Sequence, residues 1–325
     1  MTTLVTGAGG FLGGHIVRQL LAAGEPVRGL DLAFPEEFPD AAEAVIGSIL
    51  EAEDIAAAMQ NVTHIVHAAA VAHLWVPDRS SYDRVNALGT SRVLAAAGRA
   101  EAKTVLVSSF TTLVAQTTAP GTVLDETFEY APTLLLGDYP RTKRQAEILA
   151  QSAVDAGQPV TIVQPAAPIG AGDYNLTPPT EMIRDLATGK VPALLNCSLN
   201  LVDAVAVAKA IIAARAVGVA GERYLLAGQD ISLPNFAAMV AGMTEASVPH
   251  GRVPVWLALA AAQVEAGVSR ITKRPPKAPL TGVRMAQKSC RFDSSKAKST
   301  LGFAPRPLEE CLAECLNWLR QSGHI

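Results

Sequence analysis

The feature that most constrains this chain is its opening, Thr3-Leu4-Val5-Thr6-Gly7-Ala8-Gly9-Gly10-Phe11-Leu12-Gly13-Gly14-His15-Ile16. A short apolar, β-branched run meets a cluster of glycines. It then passes into a pattern with Phe11, Leu12, Ile16, Val17, Leu20 and Leu21 at near-helical spacing. Strand, glycine turn and helix form the layout that binds a dinucleotide. Gly7 permits the tight turn, Gly10 lets the backbone approach a pyrophosphate, and Gly13 lets the helix pack close to the strand. The helix N-terminus then offers unpaired N–H groups and the positive end of its dipole to phosphate oxygens. A glycine-rich turn also serves as a plain strand-to-helix connector, so context decides. Here the turn opens the chain, and residues 27–31 read as a second strand with Asp31 at its tip. An acid about 20 residues past such a turn accepts hydrogen bonds from the adenosine ribose. The competing reading of Asp31 is a loop carboxylate capping local N–H groups.

With 325 residues, the chain can form one large α/β unit or two domains sharing an interface. Its 49% hydrophobic and 18% charged residues match an ordinary soluble globular protein with a well-filled core. A net charge of −3 gives no reason to expect nucleic acid as a partner. The four cysteines, Cys197, Cys290, Cys311 and Cys315, are scattered. Cys311 and Cys315 lie four apart on a predicted helix, but no His-rich pattern accompanies them; helix packing is expected, and no metal. A first strand starting near Thr3 leaves no room for a signal peptide, and the cytosol is the expected compartment. The most apolar segment, 253–264, contains Pro254 and Gln263 and is too short to span a bilayer.

Strand-like runs at 44–47, 63–70, 103–109 and 160–163 alternate with helical patterns at 51–60, 80–100 and 140–156. This alternation predicts a parallel, doubly wound α/β sheet. The run at 63–70 ends in Ala68, Ala69 and Ala70, small residues against which a ligand can lie. His67 beside them reads as a packed strand-end residue. Past Gln164 the pattern changes, with helices expected at 204–217, 231–242, 254–268 and 308–320 and a strand at 222–226. The expected division is a Rossmann-type dinucleotide-binding domain over 1–165, with a returning segment at about 200–228. A smaller, helix-rich substrate cap takes 166–199 and 229–325.

Tyr139-Pro140-Arg141-Thr142-Lys143 places a phenol and an ammonium four apart at the start of a helix, on one face. A free Tyr titrates near 10 and is a poor acid or base at neutral pH. A fixed ammonium one turn away is expected to draw that pKa toward the working range. Such pairs arise by chance in many chains, but this one opens the helix after the fifth strand, and Ser109 ends that strand. Carboxyl ends of parallel strands are where ligands sit, so a hydroxyl there can hold a substrate oxygen for the Tyr. Thr111 and Thr112 are the alternative hydroxyls if the register is shifted.

With these residues in view, the sequence resembles the extended short-chain dehydrogenase/reductase family. The matching residues are Thr6-Gly7-x-x-Gly10-x-x-Gly13, Asp31, His67-Ala68-Ala69-Ala70, Asn86 with Gly89-Thr90, Ser108-Ser109 and Tyr139-x-x-x-Lys143. Later stretches such as Asn200-Leu201-Val202 and Phe292-Asp293-Ser294-Ser295-Lys296 look like the branch holding dihydroflavonol-reductase-like proteins and hopanoid-associated sugar epimerases. The resemblance implies a Ser109, Tyr139 and Lys143 triad. Tyr139 would exchange a proton with the substrate oxygen, Lys143 would hold the nicotinamide ribose, and Ser109 would orient the carbonyl. It implies cofactor contacts from Gly7, Gly9, Gly10, Phe11, Leu12, Gly13, Asp31, Ser48, Ile49, Ala68, Ala69, Ala70, Asn86, Lys143 and Pro165. Asn86 carries a structural or relay role in this reading, against the plainer one of a helix-surface residue. NAD is preferred on account of Asp31, with NADP left open. Relatives commonly pair as homodimers, here through the helices at 80–100 and 140–156.

Departures from the family pattern bear on substrate. Ser48 stands where many members carry an Asp at the adenine. Phe110-Thr111 replace the Asp-Glu that dehydratases place after the catalytic hydroxyl. Ala167 and about Leu199 stand where sugar-nucleotide epimerases usually carry an Asn and an Arg for the diphosphate, and Gln164 replaces a common Arg. Leu194, Leu195, Leu201, Trp256 and Leu257 are expected in the substrate wall, with Arg184 and Lys190 on solvated helix faces. The expected function is therefore a nicotinamide-dependent reductase or alcohol dehydrogenase for a small, apolar ketone or aldehyde. The alternatives are a sugar or nucleotide-sugar epimerase working through a transient ketone, and a non-catalytic cofactor-binding scaffold, against which the intact Ser109, Tyr139 and Lys143 argue.

Overall fold

The computed structural model describes residues 1–325. Strand β1 (Thr2–Thr6) runs into α1 (Phe11–Ala22), followed by β2 (Val27–Asp31), β3 (Glu43–Ile46), α2 (Ala52–Ala58) and β4 (Val62–His67). A π-helical segment, Tyr82–Gly89, leads into α3 (Thr90–Arg99) and β5 (Lys103–Val107). The two-residue strand β6 (Val123–Leu124) precedes α4 (Asp138–Asp155), β7 (Val160–Pro165) and β8 (Ala167–Ile169). Then come α5 (Pro178–Ala187), β9 (Ala193–Leu195), β10 (Ser198–Asp203), α6 (Ala204–Val217), β11 (Arg223–Leu226) and β12 (Gln229–Ser232). The chain finishes with α7 (Leu233–Gly242), β13 (Gly251–Val253), α8 (Val255–Thr272), α9 (Leu280–Lys288), β14 (Arg291–Phe292), α10 (Ser295–Leu301) and α11 (Leu308–Gln321).

Seven strands form one parallel sheet in the order β11-β7-β5-β4-β1-β2-β3. The central strands are apolar because both faces are covered. Helices α1 and α6 pack together on one face, and α2, α3 and α4 on the other. Chain order reverses between β1 and β4. In an open α/β sheet that is where a crevice opens beyond the carboxyl ends of the strands. The opening turn of the sequence therefore sits at the switch point, as expected for a doubly wound sheet.

After Pro165 the chain leaves this sheet, and it returns for α6 and β11. A second core gathers α5, α7 and α11 around the three-stranded sheet β12-β10-β8. Cys311 and Cys315 are buried in it, as helix packing required. The expected cap segment 229–325 does not pack as one piece: Cys290, Ala297, Leu301 and Phe303 belong to the larger core, because α10 lies against α6 and β11. The helix expected at 231–242 begins two residues later. Residues Gln229–Ser232 are a strand, and the Ser232 hydroxyl caps α7 by accepting the Asn235 N–H at 3.2 Å.

Candidate active site

The turn after β1 is shaped by steric exclusion. Gly7 has φ +71°, and a Cβ there would stand 2.7 Å from the Ala69 nitrogen. A Cβ on Gly13 would overlap the Gly7 carbonyl. Only bare backbone lets α1 start flush against the ends of β1 and β4. The N-cap of α1 is Gly10, and its first turn carries no acid. The N–H groups of Phe11, Leu12 and Gly13 therefore have no acceptor within the helix. This turn can hold a pyrophosphate.

Asp31 closes one side of the turn. Its Oδ2 accepts the Gly9 N–H at 2.9 Å, and its Oδ1 accepts the Leu32 N–H at 2.7 Å. Burial raises its pKa above the ordinary carboxylate value, and backbone N–H groups from Leu32, Gly9, Ala33 and Gly10 pull it back. Asp31 thus caps local N–H groups and also lines the cleft.

That cleft encloses about 600 Å³. Gly7, Gly10, Phe11, Leu12, Gly13, Asp31, Ser48, Ile49, Ala68, Ala69, Ala70, Lys143 and Pro165 line it, together with Ser109 and Tyr139. Gly9 and Asn86 lie outside the lining. Gly9 acts through its N–H on Asp31. Asn86 is buried, and its Oδ1 accepts the Val71 N–H at 2.8 Å. Its Nδ2 donates to the Val71 carbonyl at 3.2 Å and to the Thr142 hydroxyl at 3.1 Å. Asn86 thus pins the loop after β4 to α4. It sits in the π-helical segment, a local winding that recurs at functional sites. His67 is packed between the hydroxyls of Thr6 (2.7 Å) and Thr90 (3.0 Å), and burial drives its pKa to about 3. Ser48 is held in its loop, its N–H on Asp54 at 2.7 Å and its hydroxyl accepting the Leu50 N–H at 3.1 Å.

Ser109, Tyr139 and Lys143 converge at the other end of the cleft. Ser109 follows β5 and caps the short turn Phe110–Leu113, its hydroxyl accepting from the Thr111 N–H at 3.3 Å and the Thr111 hydroxyl at 3.0 Å. Thr111 also lines the cleft, whereas Thr112 turns away to donate to Glu147 at 2.9 Å. Tyr139 is the second residue of α4. Burial lifts the phenol above its ordinary pKa, and the Ser109 hydroxyl beside it draws it partly down. Lys143, one turn on, donates to the Val107 carbonyl at 2.6 Å. Burial pulls this ammonium down to about 8, opposed by the Glu147 carboxylate.

This corrects the expected electrostatics. The ammonium is engaged with the end of β5, and burial outweighs every other influence on the phenol. The neutral phenol is therefore the resident form at neutral pH.

Beneath these residues lies a network that spacing alone did not single out. The buried Glu147 Oε1 accepts from Ser108 at 2.5 Å, Thr112 at 2.9 Å and Gln164 at 3.0 Å, and its Oε2 from Arg144 at 3.0 Å. It clamps α4 onto the ends of β5 and β7. Gln164 belongs to this clamp, its Nε2 donating to Glu147 and to Thr112, both at 3.0 Å.

The wall of the cleft differs from expectation. Leu194 and Leu201 are buried in the second core, and Leu195 and Leu199 lie on β9 and β10 away from the cleft. Trp256 and Leu257 are exposed on α8. Arg184 is on the surface, paired with Glu181 and Asp185. The wall is built instead from Leu74, Phe110, Pro178 and Pro179, with Ala167 and Pro168 of β8 and Met285 of α9. Asn175, Thr177 and His73 add polar atoms. Lys143 is the sole lysine or arginine in the lining.

Comparison with known proteins places this architecture. Residues 3–227 match the NAD dependent epimerase/dehydratase family. A protein of Synechocystis sp. named for a dihydroflavonol 4-reductase is 34% identical over 99% of this chain and 95% of its own length. Sterol demethylase protein B of Methylococcus capsulatus is 30% identical over the whole of both chains. The crystal structure of gox2253 superposes with a TM-score of 0.86 at 30% identity, covering 100% of this chain and 99% of that one. The chain belongs to the NAD dependent epimerase/dehydratase family and is an oxidoreductase of the extended short-chain dehydrogenase/reductase type.

Proposed function

We propose that this protein is a reductase for an apolar ketone or aldehyde, working through Ser109, Tyr139 and Lys143. The observation that carries the reading is the cleft itself: a neutral phenol beside a hydroxyl and an ammonium, in a wall whose sole strong cation is Lys143. The α1 N-terminus would hold the pyrophosphate, Asp31 the adenosine ribose and Lys143 the nicotinamide ribose. NADH, when bound, supplies the hydride. Ser109 orients the carbonyl oxygen, and Tyr139 gives its proton to that oxygen as negative charge develops there. Lys143 supplies the positive charge that supports the phenolate left behind, until solvent returns a proton. A phenol that stays protonated at neutral pH is already in the form this direction requires.

The wall favours apolar substrates over nucleotide sugars. A diphosphate entering a pocket exchanges hydration for charge-assisted bonds, usually to Arg, Lys or Asn. Beyond Lys143, which the cofactor would engage, this wall offers Asn175, His73 and small hydroxyls. It offers apolar contact in return for apolar area. Each methylene added to a ketone should therefore raise kcat/KM about 4-fold until the wall is filled. Rates of NADH consumption along a homologous alkyl or aryl ketone series check this, and a flat series contradicts it.

The cofactor is NAD in this reading. Arg28, the nearest basic residue in sequence, points to the far edge, donating to the carbonyls of Ala58 and Gln60 and pairing with Glu43. No Lys or Arg lines the cleft beside Asp31 to receive a 2′-phosphate. Asp31→Ala should narrow the NADH over NADPH preference by about 10-fold or more, the worth of a charge-assisted contact. Dissociation constants for both cofactors test it, and equal binding by the wild-type protein contradicts it.

Two copies would pair through α4 and the π-helical segment that leads into α3, which lie side by side and leave Ile148 and Leu88 exposed. Light scattering at micromolar concentration should give a dimer, and Leu88→Glu with Ile148→Glu a monomer. A wild-type monomer contradicts this pairing.

A further inference from the structure

Helix α8 turns an apolar face to solvent. Leu257, Val264, Val268 and Ile271 are 46%, 69%, 54% and 86% exposed. Spaced as they are, they fall within roughly 60° of one another around the helix axis at 3.6 residues per turn. Ala260, Ala261 and Gly267 fill the gaps between them, and Trp256 flanks the stripe at 70% exposure. The buried residues Ala262 and Ser269 lie on the opposite side, where α8 packs on α9. The stripe is thus not the rim of a core: it is a continuous apolar ridge with nothing of this chain over it.

Cations outnumber acids around the ridge, where Asp78 lies near Lys273 and Glu265 sits on the helix itself. Arg270, Lys273, Arg274 and Lys277 follow one another with no acid between them, and all are exposed. Arg252 is exposed just before the N-terminal end. The one acid on the helix, Glu265, accepts the Lys277 backbone N–H at 2.9 Å and lies off the ridge. This basic cluster stands on a chain whose net charge is −3, so it is a local feature rather than a reflection of composition.

We propose that α8 docks this protein on an anionic lipid bilayer, with the ridge at the acyl boundary and the cations among the headgroups. An apolar helical face with Trp beside it and Lys and Arg around it lies in the plane of such an interface. The position of the helix fits the assignment. Helix α9 beneath it contributes Met285 to the cleft wall, and its Gly282 lies against Leu74 of the same wall. Docking would bring the cleft mouth toward the compartment in which an apolar substrate dissolves. The binding claim itself does not rest on the proposed chemistry, because its readout is membrane association and not turnover.

The experiment is co-sedimentation of the full-length protein with phosphatidylcholine vesicles, with and without phosphatidylglycerol. The wild-type protein should sediment with the anionic vesicles and be released by salt. Val264→Glu with Val268→Glu should weaken binding more than 10-fold, and Lys273→Glu with Arg274→Glu about 30-fold or more. All four side chains are exposed, so the variants should keep the wild-type melting temperature and cofactor affinity. Absence of binding to anionic vesicles, or equal binding by the variants, overturns the proposal. So does a wild-type oligomer that the Val264→Glu, Val268→Glu variant dissociates, since the ridge would then be a contact between copies.

Discussion

Tyr139→Phe is expected to lower turnover by ~10²–10⁴-fold, the usual worth of a positioned proton transfer. The substitution removes one oxygen from a residue that is held by the first turn of α4, so the backbone around it should stay in place. Cofactor affinity should change little, because the pyrophosphate and ribose contacts come from other elements. Ser109 keeps its bonds from Thr111 and so keeps its position. Loss of kcat with an intact cofactor Kd is therefore the signature of a proton donor, whereas a merely structural role would move both. Retention of more than a tenth of the rate would hand the proton to another group. Thr111, whose hydroxyl lines the same cleft, is the first to examine.

Lys143→Met should cost turnover on a similar scale, ~10²-fold or more, and should also weaken NADH binding. The stability of the cofactor-free protein gives an independent check. Burial holds the folded ammonium at about 8, below the ordinary value of 10.5. Between those two values the unfolded chain binds a proton that the folded chain has released, so stability rises with pH across that window. Below about 8 both states carry the charge, and the folded one bears the cost of burying it. Wild type should therefore gain stability between about pH 8 and pH 10.5 relative to Lys143→Met. Parallel stability curves for the two proteins would contradict a buried, shifted ammonium at this position.

The parts of this molecule that sequence made legible are those set by local rules. The glycine turn, Asp31 and the Tyr139–Lys143 spacing each depend on a few neighbouring residues, and their fold follows from strand–helix alternation. The sequence pattern opens α4 at Pro140, and the structure opens it two residues earlier, at Asp138. Tyr139 and Lys143 nevertheless share a face in either register. The second core was less legible because its strands are three to six residues long and pair with distant partners. The wall of the cleft was misplaced for a related reason. Apolar character says that Leu194 and Leu201 are buried, not which surface buries them. It says nothing of Trp256 and Leu257, which the structure leaves in solvent. Glu147 escaped notice because a carboxylate four residues past a lysine ordinarily reads as a solvated helix pair. Three hydroxyl or amide donors and Arg144 gather around it only in the folded chain.

The proposed activity of this cleft is reduction of apolar carbonyl compounds by net hydride transfer. The most direct measurement sets two reactions of the same purified protein side by side: NADH consumption with aryl and alkyl ketones, and conversion of UDP-glucose to its C4 epimer with NAD. Stoichiometric NADH loss with the ketones, abolished in Tyr139→Phe, and no epimer above background is the expected result. Efficient epimerisation without ketone-dependent NADH loss would contradict the account and make the protein a sugar-nucleotide epimerase.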